Sequence, residues 1–510
     1  MILRQAQDEF MQAQDEFMQV QDEFMVSPSN HTQDVWIYLL HMVSAWLSQV
    51  YRAIGSVLQR IHVTKIKSRN FSFSHILSSC VSSISSLRSL LRLHNRAMRL
   101  YYGGVGSKDI FILFFLCMST FIHAEFKLGI ENIPNKFISH YVDNKLAIGL
   151  VTNQTGKDQK GNRTVDVLLK KGFKIAALYA PEHGVEGKIE LERDVKDSLD
   201  VKTQIPVFSL YMNGTGKKID PAMIKNIDTF FFDIQDSGMR HYTYISTLFM
   251  ILQVAGQEGK KVVVFDRPNP LGKTMEGPLV DPSLISFISI APIPLRHGMT
   301  VGELAEFFNN HVLEKRANLV VIPMKEYDRS YGLADLHAPL SPNIASKASC
   351  HGYCFLGLLG EVSPFDVAVG TPEAFQVIAL PESMAVSQSV WQELAAQLKI
   401  YGINCCAYKF YSDRKKQSHV GLRLSMPNIN QVSAFNAFLA TVATMKKAGV
   451  PIDFKPVFDK AAGSKQVRLF LMGIMSYQEM IDEVNAGLQA FFLKAQSVFK
   501  YLPHPQLLFN

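Results

Sequence analysis

From residue 145 onward the chain repeats one pattern: a short apolar run, an abrupt polar turn, then apolar positions at helical spacing. The runs at 146–152 (LAIGLVT), 173–179 (FKIAALY), 206–211, 229–234, 261–265 and 319–323 predict strands. Segments 163–171, 221–226, 242–259 and 300–315 predict helices, with Asp220 and Thr300 as N-caps and Glu303 in capping-box position. Strands this continuously apolar, alternating with helices, are buried on both faces. That predicts an α/β fold on a doubly wound, mostly parallel sheet.

Charge gathers where these strands stop. In the stretch 229–278 the first strand runs into Asp233, Gln235 and Asp236, and the second into Asp266, Arg267 and Asn269. A strand, a helix and a strand in that order predict a parallel pair with a crossover helix. Ligands of open α/β sheets bind outside the carboxyl ends of the strands. The other turns add Asn153, Gln154, Glu182, His183, Arg240 and Glu276. Carboxylates, amides and guanidinium groups on one edge suit a sugar with many hydroxyls. The first strand-to-helix turn, NQTGKDQKGN, is neither G-x-G-x-x-G nor G-x-x-x-x-G-K-[ST], so no dinucleotide cofactor is expected.

Composition narrows the class further. With 510 residues, 47% of them hydrophobic and 19% charged, the chain has the makings of a globular protein with a sizeable core. Its net charge of +7 is spread without a Lys/Arg run, which gives no sign of nucleic-acid binding. Six cysteines are too few for a disulfide scaffold, and the Cys350–Cys354 spacing lacks a second ligand pair for zinc. One disulfide among Cys350, Cys354, Cys405 and Cys406, or free buried thiols, are both compatible with the sequence.

The first 124 residues read differently. Residues 1–97 open with a seven-residue repeat (QDEFMQA, QDEFMQV, QDEFM), a low-complexity extension, and include a possible amphipathic helix at 36–62. Residues 98–124 have a basic start at Arg99 and Lys108, an apolar run at 110–118 and a small-residue end at Ala124. That is the anatomy of a secretory signal peptide, with an uncleaved membrane anchor as the alternative. Either reading puts the remainder in the periplasm or outside the cell, touching a membrane only through this segment.

The motifs VTNQTG (151–156), PEHG (181–184), FDIQDSGMRHYTYIS (232–246), DRPNP (266–270), EGP (276–278), RHGMTVGELA (296–305) and SPN (341–343), in this order, resemble the exo-β-N-acetylmuramidase family of bacterial glycoside hydrolases. The resemblance implies a Rossmann-like catalytic domain, 125–330, and a smaller C-terminal α+β domain, 331–510, closing a cleft over it. It also implies release of N-acetylmuramic acid from non-reducing ends of peptidoglycan fragments, by acid/base chemistry without a metal or other cofactor. Past residue 345 the motifs thin: Gly370, Thr371 and Phe375 remain, but the arginine of the family's GRGT-like turn is missing.

Most glycosidases use two carboxyl groups, one protonating the leaving oxygen and one acting as nucleophile or base. Glu182 is the first choice, in a flexible turn directly after a strand. Glu276 and Asp236 are the candidates for the second group, while Asp233 reads equally as a buried structural acid. Arg240 and Arg267 suit the lactyl carboxylate of muramic acid, or else internal ion pairs with Asp236 and Asp266. Asn153, Gln154, His183, Tyr242, Asn269 and His297 complete the expected sugar contacts; of Tyr242 and Tyr244, at most one should face the sugar. Two other classes share these residues: an exported two-lobed sugar-binding protein without turnover, and a metal-dependent hydrolase using Glu182, His183, Asp233 and Asp236. The second lacks a local two-histidine signature.

Overall fold

The computed structural model describes residues 126–189, 196–331, 338–384 and 386–509. The seven-residue repeat, the segment 36–62 and the signal-peptide-like stretch 98–124 lie outside them. Residues 124–510 form one compact unit.

Six parallel strands make the central sheet: β1 (Ala147–Thr152), β2 (Lys174–Ala180), β3 (Pro206–Ser209), β4 (Thr229–Asp233), β5 (Lys261–Phe265) and β6 (Asn318–Ile322). Their order across the sheet is 3-2-1-4-5-6, and a two-residue antiparallel strand, Ser198–Leu199, borders β3. The two-residue period of each strand sorts side chains onto two faces. Phe230 and Phe232 of β4 and Val262 and Val264 of β5 enter one apolar core. Phe231, Val263 and Phe265 enter the other. These phenylalanines are fully buried, so truncating any of them to alanine should cost about 3–5 kcal/mol.

Helices α1 (Asn135–Asp143), α2 (Thr164–Lys170), α3 (Tyr244–Glu258) and α4 (Val301–His311) complete this lobe. Asp220 accepts from the Ala222 N–H, and Thr300 and Glu303 form the capping box. Several expected ends move, two of them with side-chain bonds that account for it. The helix expected over 300–315 stops at His311, and the Asn309 side chain hooks both the N–H and the carbonyl of Ala317 in the following loop. The strand expected over 206–211 stops at Ser209, whose hydroxyl bonds both backbone groups of Tyr211 and turns the chain.

Beyond residue 338 the chain builds α5 (Lys347–Leu359), β7 (Val377–Pro381), α6 (Gln388–Ile400), β8 (Asn404–Ser412), β9 (Gln417–Ser425), α7 (Ala434–Lys447) and α8 (Tyr477–Ala495). The three strands pair antiparallel in the order β7-β9-β8. One apolar core runs without a break from Met239 and Tyr242 beneath the sheet edge to Phe355 and Leu356 of α5. The chain's end returns to the first lobe, where Gln506–Leu507 pairs with Thr274–Met275 and the Tyr501 hydroxyl donates to Asp266 at 2.6 Å. Cys350, Cys354, Cys405 and Cys406 are all free thiols. Among the described residues no helix is long and apolar enough to cross a membrane.

Candidate active site

The strand order reverses between β1 and β4, so the loops leaving these neighbours diverge and leave a crevice at their carboxyl ends. Polar bonds stitch its floor. The Thr152 hydroxyl donates to the Asp233 carbonyl at 3.0 Å, and the Gln235 N–H donates to the Thr155 hydroxyl at 2.9 Å. Asn153 folds back so that its Oδ1 accepts from the Thr155 N–H, leaving Nδ2 with no partner among the described residues.

Two acids flank this crevice. Glu182 follows β2, and the next two residues, His183 (φ 69°) and Gly184 (φ 77°), are both left-handed, which turns the chain sharply. Its Oε2 accepts from the Thr243 hydroxyl at 2.6 Å. His183 supports the turn by a 2.7 Å contact from Nδ1 to the Ile189 carbonyl, so it donates there. Asp236 follows β4; its Oδ2 accepts from the Gly238 N–H at 2.7 Å and lies 3.1 Å from His297 Nε2. His297 Nδ1 accepts from the Met299 N–H, which places the ring proton on Nε2 and makes it a donor to Asp236. Asp236 Oδ1 has no partner among the described residues.

Tyr353 of α5 feels the charge of both acids. Its ring packs against His241 at 4.9 Å, Tyr242 at 5.9 Å and Phe375 at 4.9 Å between centroids. Burial, then the negative charges of Glu182, Glu361 and Asp236, push its phenol well above the usual range, so it stays protonated. A separate concavity of about 640 Å³ lies between α5 and the end of β9, lined in part by His351, Gln376 and Arg423. Neither acid reaches it.

Several expected contacts are engaged elsewhere. Glu276 is held by an ion pair: 1% exposed, it pairs with Arg296 at 2.8 Å and caps the Phe435 N–H. Arg240 meets no acid among the described residues; it is fully buried and donates to Ser289 and to the carbonyls of Pro278, Ile293, Ala461 and Ala462. Arg267 forks onto Asp233, not Asp266, through Nε and Nη2, and its Nη1 has no partner among the described residues. Asp233, 0% exposed, also accepts from Thr164. Asn269 shapes its own turn through the Leu271 N–H and the Met299 carbonyl. Tyr242 and Tyr244 both donate to the Leu340 carbonyl, so neither hydroxyl faces a sugar. Gln154 donates to the carbonyls of Pro339 and Leu340, tying the second lobe down. His297 is fully buried and acts on Asp236 instead of on a ligand.

Three site residues escape sequence reading: Thr243, Tyr353 and His241. Thr243 lies inside a recognised motif but carries no charge, and Tyr353 sits in a helix that reads as core. His241 had one signal, a histidine in the stretch following a strand end. Both its ring nitrogens are buried without a partner among the described residues, against Gly357, where any side chain would strike the ring at 2.5 Å. Burial, with Arg240 beside it, pulls this imidazole down from 6.5 to about 3. Between those values the unfolded chain binds a proton that the folded one refuses, so stability falls as pH drops from 6.5 toward 3. His241→Phe, which keeps the ring stacked on Tyr353, is expected to flatten thermal midpoint against pH across that window. Curves of equal slope for the two proteins would clear His241 of the effect.

Comparison with known proteins completes the picture. Residues 148–348 match the family model described as Exo-beta-N-acetylmuramidase NamZ, N-terminal, and residues 351–501 match its C-terminal counterpart. The match thus continues past residue 345, where the motifs thin. The Peptidoglycan beta-N-acetylmuramidase NamZ of Bacillus subtilis (strain 168) is 34% identical over 356 residues, spanning 68% of this chain and 84% of that protein. Crystal structures of two DUF1343 family proteins from Bacteroides fragilis NCTC 9343 are similar, with TM-scores of 0.65 and 0.59 and identities of 29% and 24%. Each match covers 74% of this chain and 99% of the other; the second speaks to the fold alone. A mostly parallel α/β sheet, with these relatives, makes the protein a glycosidase. It belongs to the exo-β-N-acetylmuramidase NamZ family.

Proposed function

We propose that this glycosidase is exported and releases N-acetylmuramic acid from the non-reducing ends of peptidoglycan fragments, with Glu182 and Asp236 as its two carboxyl groups. The observation that carries the reading is their placement. Glu182 follows β2 and Asp236 follows β4, the strands on either side of β1, and each keeps one oxygen uncommitted among the described residues. Glu182, supported by a neutral hydroxyl and lying beside the partly exposed Thr243, protonates the leaving oxygen. Asp236, which meets only N–H donors, is the anionic partner that stabilises the oxocarbenium-like centre or activates the incoming group. Arg267, Arg296 and Arg240 hold the floor rigid beneath them.

The test is hydrolysis of a chromogenic β-N-acetylmuramide by the purified protein, with and without chelator. Turnover that survives the chelator supports carboxylate chemistry. Binding of the sugar without turnover would replace the enzyme reading for this substrate by that of a binding protein. For export, the mature N-terminus recovered from cell fractions is expected just after Ala124; recovery of the uncleaved chain in the cytosol would overturn it.

A further inference from the structure

The concavity of about 640 Å³ between α5 and the end of β9 carries charge of one sign on its walls. α5 supplies Lys347 and the strand end supplies Arg423, and among the described residues no aspartate or glutamate lines it. Arg423 is exposed and makes no ion pair among the described residues; the Tyr408 ring steadies it, 5.6 Å from the guanidinium carbon. His351 adds hydrogen-bonding capacity without charge, since burial first and then Lys347 hold its imidazole down at about 4. Phe375, Met426 and Ile429 make part of the wall apolar. A cleft lined by one sign of charge concentrates ligands of the other, and the apolar wall asks for more than a small bare ion. Carboxylates on a peptide meet both demands.

Position ties this cavity to the crevice. Phe375, in its wall, packs on the Tyr353 ring at 4.9 Å, and the same ring packs on His241 at 4.9 Å. α5 is the partition between the two places. Lys347 and His351, one helical turn apart, line the cavity, whereas Tyr353 and Gly357, also one turn apart, face His241. An extended peptide advances about 3.3 Å per residue, so a few residues bridge the partition.

Resting on the reading above, we propose that this cavity holds a carboxylate-bearing peptide attached through the lactyl group of a muramyl unit, with Arg423 and Lys347 taking its carboxylates. The peptide's charge is then kept apart from Glu182 and Asp236, which would repel it. The substrate class so defined is a muropeptide, not only the bare glycan.

Calorimetric Kd on the full chain is compared for N-acetylmuramyl-L-alanyl-D-glutamate and for free N-acetylmuramic acid. The wild type is expected to bind the peptide-bearing ligand about fivefold more tightly, as exposed charge pairs allow, and the gap should narrow as salt rises. Arg423→Gln, at an exposed position, should erase most of that gap and leave the Kd for free N-acetylmuramic acid within about twofold. Equal affinity for the two ligands in the wild type, a gap that survives Arg423→Gln, or equal weakening of both ligands by that substitution would each overturn the proposal. Because binding is measured directly, an inactive wild type that still prefers the peptide-bearing ligand would count against the glycosidase chemistry alone.

Discussion

Glu182→Gln is expected to lower kcat on a chromogenic β-N-acetylmuramide by about a hundred- to ten-thousand-fold, the range that proton transfer by a positioned side chain supplies. Glutamine has the same shape and its amide oxygen still accepts from Thr243, so the turn after β2 should hold and the thermal midpoint should barely move. The reason the effect should be large is isolation. Among the described residues Thr243 is the one partner of the Glu182 carboxyl, and no second acid shares its turn to take over the proton. Asp236→Asn makes the complementary case. It also cuts turnover, but it presents either an amide oxygen or a competing N–H₂ to the Gly238 and His297 donors, so a modest stability loss accompanies it. Near-normal kcat for Glu182→Gln would remove this residue from the chemistry altogether.

The contrast between the two lobes explains what the sequence reveals and what it withholds. Strands β1, β4 and β5 are legible because each is a run of five or six residues buried on both faces, a local property. The edge where ligands bind follows from those strands by topology, and Glu182 and Asp236 lie on it. The partners of the polar residues are another matter. Arg296 reaches the carbonyl of Val432, Arg240 that of Ala462, and Gln154 that of Leu340, across separations of 136, 222 and 186 residues. No spacing rule relates such positions, so a buried arginine that braces the fold looks in sequence like one waiting for an anion. Tyr353 shows the converse error. Surrounded by Cys350, Cys354 and Phe355 in an apolar helix, it reads as core, and only packing shows its ring against His241 and Tyr242 of the first lobe.

Glu276 brings that distinction to a measurable point, because it was as good a catalytic candidate in sequence as Asp236. In the fold it and Arg296 are 1% and 0% exposed, bonded side chain to side chain at 2.8 Å and backbone to backbone at 3.1 Å in both directions. Its second oxygen accepts from the Phe435 N–H in the second lobe. Glu276→Gln keeps the shape but leaves the Arg296 charge buried without a counter-ion, and it turns an amide N–H₂ toward one of two donors. Breaking a buried pair in this way costs about 3–5 kcal/mol. For a unit of this size that is a fall of about 5 °C in the thermal midpoint, scaling from an unfolding entropy of about 2.1 cal/mol/K per residue. Below that midpoint, kcat should remain within about tenfold of wild type, the reverse of the Glu182→Gln signature. The double variant Glu276→Met with Arg296→Met should lose less stability than Glu276→Gln alone, since it removes the orphaned charge along with its partner. Abolished turnover with an unshifted midpoint would return Glu276 to the reaction. It would also mean that the crevice between β1 and β4 is not where the glycosidic bond is cut.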